Sequence, residues 1–132
     1  MCDLDAHLSN FIDSAEHLTL WYNSSNEDQL HVAVNQEYSL IKLHHTQYLK
    51  NFIAKNPTSL ATITAFYQQY QRATFFDEIH DLALLEQIYK NLSKKYPKND
   101  NVNWLKKRIS LIKNKIQESE KLQQQINQPN NN

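Results

Sequence analysis

Six histidines, one cysteine and a run of lysines are the side chains here that could do chemistry. His44 and His45 are adjacent, so on a helix they point about 100° apart and do not share one metal readily. No His-x-x-x-His or Glu-flanked zinc motif occurs. The reading of the residues is therefore surface or core histidines, with no metal, no cofactor and no catalytic residue. His80 stands beside Glu78 and Asp81, a set better suited to starting a helix at Asp81 than to acid–base work. Cys2 has no partner cysteine for a disulfide and an acidic setting, between Asp3 and Asp5, that disfavours its thiolate. Tyr89, Tyr96 and Trp104 lie among lysines, a pairing that nucleic-acid surfaces use. These rings fall at core spacing, however, and the chain is neutral, with 14 basic and 14 acidic residues. The expectation is no nucleic-acid partner.

The charges are segregated. Residues 1–41 carry seven acids and no Lys or Arg, whereas residues 90–115 carry eight Lys, Arg108 and a single acid, Asp100. Such asymmetry calls for a partner, inside the chain or outside it. The simplest expectation sets the acidic first helix beside the basic fifth.

The 132 residues contain no glycine. At an average usage of about 7%, that happens by chance roughly once in ten thousand chains of this length. Gly-dependent phosphate loops and Asn-Gly or Asp-Gly hairpins are thereby excluded. No apolar run reaches the roughly 18 residues of a membrane span, and the acidic start does not read as a signal peptide.

Hydrophobic spacing supplies the positioning elements. Leu4, Leu8, Phe11, Ile12, Ala15, Leu18 and Tyr22 recur at steps of three and four and predict a first helix. "NSSNED" (23–28) interrupts it and offers caps to the next. Val34, Tyr38, Ile41, His45, Tyr48 and Phe52 follow heptad spacing over about 27–55. Asn56-Pro57 ends that helix and restarts the chain, with Asn56 as cap, Pro57 as first helical residue and Leu60, Ile63, Tyr67 and Tyr70 as apolar face. Ala61 and Ala65 allow close approach, and Phe75 and Phe76 are expected to plug the core. A fourth helix (Leu82, Leu85, Ile88, Tyr89, Leu92, Tyr96) stops at Pro97, and a fifth carries Val102, Leu105, Ile109, Ile112 and Ile116. The expected fold is all-α, a bundle of about five helices ending in a tetratricopeptide-like helical hairpin. Residues 1–118 would form the helical domain and 119–132 a polar Gln/Asn-rich tail.

"FIAKNPTSLATITAFYQQY" (52–70) and "FFDEIHDLALLEQIYKNLSKKYPKNDNVNWLKKRI" (75–109) carry a resemblance. Phe52, Ile53, Asn56, Pro57, Ser59, Leu60 and Ala61, then Leu92, Ser93, Tyr96, Pro97, Leu105 and Arg108, resemble the helical region of Bacteroidota thioredoxin-fold thiol–disulfide oxidoreductases of the TlpA/AhpC-TSA type. The similarity runs from about residue 10 to 120. In that family a thioredoxin domain with Cys-x-x-Cys follows the helical region; this sequence contains no Cys-x-x-Cys, so no redox residue carries over. The resemblance implies a non-catalytic scaffold that docks or supports a thioredoxin-like domain, in the cell envelope where the family context holds. The alternative is a stand-alone helical interaction module, homodimeric through the heptad seam of residues 34–52.

Overall fold

The computed structural model describes residues 2–24 and 28–127, with only the backbone of Cys2, Asp3 and Asn127. The thiol of Cys2, the caps offered by Ser25 and Asn26, and the last five residues lie outside it. Five α-helices and one minimal hairpin make up the described chain: α1 (Cys2–Ser24), α2 (Asp28–Lys55), α3 (Ala61–Phe66), β1 (Gln69–Tyr70), β2 (Ala73–Thr74), α4 (Leu82–Lys95) and α5 (Asp100–Asn127). The all-α expectation holds. The chain divides into two compact units, residues 1–76 and 77–132.

In the first unit α1 and α2 pack antiparallel. Leu4, Phe11, Ala15 and Leu18 are buried on α1, and Val34, His45, Leu49 and Ile53 on α2. The α2 seam keeps the expected heptad positions as far as His45, then shifts to steps of four through Leu49 and Ile53. Tyr48 and Phe52 are left half-buried. Helix α1 packs along this seam, yet Tyr38 and Ile41 remain only half-buried.

The restart after Pro57 differs from expectation. Asn56 closes α2 instead of capping α3: its backbone N–H and its Nδ2 both donate to the Phe52 carbonyl, at 3.1 and 2.9 Å. Residues 57–60 form turns, with Ser59 N–H on Asn56 O at 3.1 Å, and Ser59 Oγ accepts the Ala61 N–H at 3.2 Å. Helix α3 is therefore six residues long. Its buried residues are Thr62, Ala65 and Phe66, while Leu60 and Ile63 are only half-buried. The physical reason is volume. Phe66 is the largest side chain on α3, and turning it inward rotates the buried face away from Leu60 and Ile63. Thr62 tolerates burial because its hydroxyl donates to the Ser59 carbonyl at 2.8 Å. Phe66 then stacks on Phe76, with ring centroids 5.1 Å apart and planes at 5°; of the two adjacent phenylalanines only Phe76 is buried, and Phe75 is half-buried against Phe11 and His45.

The hairpin replaces the last turn expected of α3. β1 and β2 pair antiparallel, Gln69 with Thr74 and Tyr70 with Ala73. The two loop residues, Gln71 and Arg72, have φ of 52° and 67°. Positive φ at both central positions is the mark of a type I′ turn, which normally uses Asn-Gly. A side chain with a Cβ pays roughly 1 kcal/mol in that region. Gln71→Asn combined with Arg72→Gly is expected to stabilise the protein by about 1 kcal/mol, read as a higher urea midpoint. An unchanged or lower midpoint would show the turn is not strained.

In the second unit α4 and α5 form an antiparallel hairpin across Tyr96–Asn99. Leu85, Ile88 and Leu92 are buried on α4, and Val102, Leu105, Ile109 and Ile112 on α5. Asn99 caps α5 by accepting the N–H groups of Asn101 and Val102, at 2.8 and 3.2 Å. Helix α5 continues past 118 to Asn127, into the polar segment.

Candidate functional site

Two features of the first unit adjoin each other between α1 and α2: a buried histidine cluster and an open groove. His45, 1% exposed, is one of two buried polar residues among those described. Its Nε2–H donates to Gln68 Oε1 at 2.6 Å, and its Nδ1 lies 2.7 Å from His7 Nδ1. With Nε2 donating, a neutral His45 has a lone pair at Nδ1, so His7 Nδ1–H is the donor of the second bond. Both tautomers are thus fixed by Gln68.

Aromatic rings enclose the pair. Tyr48 stacks on His7 with centroids 3.9 Å apart and planes at 2°. Phe11 and Phe75 lie 5.3 and 4.5 Å from the His45 ring. Tyr70 meets Phe11 edge-on at 5.4 Å. Burial lowers the pKa of both histidines below the ordinary value; for His45 the Gln68 bond opposes this and the His7 charge adds to it. Burial raises the pKa of the Tyr70 phenol, helped by the charges of Glu16 and Tyr38. The cluster can take up one proton, with His45 donating from both nitrogens and His7 accepting. A second proton would set N–H against N–H.

A hollow of about 170 Å³ lies against His7 and His45, and His44 lines it too. His44 is exposed where His45 is buried, so the adjacent pair diverges as helix geometry requires. Ser14 and Ile41 line both this hollow and a groove of about 650 Å³ that runs toward Trp21 and Leu30. Leu18 and Val34 form the groove's floor. Asp13 and Glu37 line it as well, and Trp21, 51% exposed, stands against it with His17 at 4.8 Å. The groove is apolar below and acidic at its margin.

The other sequence candidates do not converge. Glu78 turns to Arg108, which donates from Nε and Nη2 at 2.7 and 2.6 Å. Asp81 occupies the N-cap position of α4 and accepts the Asp77 N–H at 2.8 Å. His80 Nδ1 lies 3.5 Å from Asp77 Oδ1. Backbone N–H groups of His80 and Ile79 hold the Asp77 carboxyl below the usual range. Within the basic run, Arg108 and Lys113 are paired inside their own unit, with Glu78 and Glu86. Among the described residues no three His, Cys, Asp or Glu side chains gather to hold a metal. No described helix is long and apolar enough to cross a membrane.

No family model, curated protein or solved structure matches this chain. The site rests on its own geometry.

The sequence reading missed His7 and Gln68 as partners of His45. One signal was available: His7 sits three residues after Leu4 and four before Phe11, on the apolar stripe of α1, as His45 sits on that of α2. Two stripe histidines on antiparallel neighbours can meet when their positions are in register.

Proposed function

We propose that the chain is a non-catalytic helical docking module whose α1–α2 groove receives a helix of a partner protein. The groove itself carries this reading: an apolar floor of Leu18 and Val34, an exposed Trp21 beside it and about 650 Å³ of open volume. An amphipathic helix recognises such a surface by inserting residues at helical spacing, and tryptophan is among the residue types enriched at binding hot spots. The resemblance at Asn56, Pro57, Ser59, Tyr96 and Pro97 favours a service role for the module, supporting a thioredoxin-like domain. A Cys-x-x-Cys encoded downstream in the same gene would favour that context.

The test is comparative capture from native extract with three proteins: the natural chain, Trp21→Asp, and Val32→Asp as a control at an exposed position outside the groove. Circular dichroism first establishes that all three are equally helical. A protein held by the natural chain and by Val32→Asp but lost from Trp21→Asp is the expected result. Identical capture by all three, or by none, removes the groove from consideration.

A further inference from the structure

We propose that the occupant of the α1–α2 groove is the outer face of α5 from a second copy of this chain. This rests on the docking reading above and names its partner. Helix α5 is amphipathic twice over. Val102, Leu105, Ile109 and Ile112 are buried, but Trp104, Leu111 and Leu122 recur on the opposite side at 48%, 50% and 59% exposure. Spacings of seven and eleven residues keep these three in one line on a helix.

Lysines flank that line. Lys107 stands three residues after Trp104 and four before Leu111, beside a depression that it lines with Leu111, and Lys115 follows Leu111 by one turn. Arg108 and Lys113 are committed to Glu78 and Glu86. Among the described residues no carboxylate pairs with Lys107 or Lys115. The groove has the opposite character: Asp13 and Glu37 line it, and no Lys or Arg precedes Lys42. The α2 wall from Leu30 to Ile41 covers eleven residue steps, about 17 Å at 1.5 Å per residue, room for the Trp104–Leu111 part of the row, which covers seven steps or about 11 Å. An apolar row flanked by cations fits an apolar floor flanked by acids, and such complementarity sets partner choice and register. It also gives the segregated charges of this neutral chain a role, since each copy supplies both halves of the contact.

Sedimentation velocity on the full chain from micromolar to millimolar concentration tests this. The expected result is a mass that rises from 15.6 kDa to at least twice that value, with association weakened by salt. Two charge-reversed variants follow, Asp13→Lys with Glu37→Lys in the groove and Lys107→Glu with Lys115→Glu on the helix. Each is expected to weaken self-association at least tenfold, whereas an equimolar mixture of the two associates, because reversed groove meets reversed helix. Association untouched by both reversals overturns the proposal. So does a chain that stays monomeric throughout. If in that case the natural chain still captures a protein that Trp21→Asp loses, the docking reading stands and only the second copy as occupant falls. If capture also fails, both fall.

Discussion

The His45→Ala variant is expected to be less stable by about 3–5 kcal/mol. Removing a buried ring leaves a cavity, for which large-to-small changes cost about 2–5 kcal/mol. It also strips a partner from Gln68 and from His7, and a buried polar group left unpaired costs about 1–3 kcal/mol. These contributions overlap, because relaxation that fills the cavity also moves the stranded groups. Urea unfolding gives the number, and a loss under 1 kcal/mol would mean that the cluster is not part of the core.

The same cluster sets a pH response. Burial lowers both histidines in the folded chain from the ordinary value of 6.5. The unfolded chain therefore binds more protons than the folded one near and below that value, so stability rises with pH there. It is fully present above about 6.5 and is lost as pH falls through the lowered folded pKa values. His45→Gln, which cannot take a proton, is expected to flatten this dependence while retaining a hydrogen-bonding side chain. A melt series from pH 8 to 5 that shows the same slope for both proteins would assign the response elsewhere.

The second large effect belongs to the α4–α5 hairpin. Leu85, at 0% exposure, packs in the unit formed by Val102, Leu105 and Ile109. Leu85→Ala is expected to cost about 2–5 kcal/mol. Leu60→Ala should cost clearly less, since Leu60 is half-buried where the sequence pattern makes it core. A reversed order of the two urea midpoints would show that Leu60, not Leu85, is the better-packed site.

That contrast shows what periodicity can and cannot convey. Long helices write their buried face many times over, so α1, α4 and α5 are legible from leucine and isoleucine spacing alone. Helix α3 spans fewer than two turns, and Phe66 outweighs the pattern around it. The hairpin at Gln71–Arg72 was hidden because its backbone takes a conformation that glycine usually announces, in a chain with no glycine. The groove was half legible. Leu18 and Val34 read as core and are indeed buried, but whether a stripe is covered along its whole length depends on neighbours that spacing does not specify. His45 was legible as a core residue, whereas its bond to His7 depends on the register between two helices.

Each long helix packs against the one next to it along the chain, α1 on α2 and α4 on α5. The loops that must close before packing begins are accordingly short, and the conformational search is local. Chains dominated by such neighbour pairings fold in microseconds to milliseconds, well ahead of those that must bring distant strands together. The α1–α2 pair can thus take shape soon after α2 leaves the ribosome, while later helices are still being made.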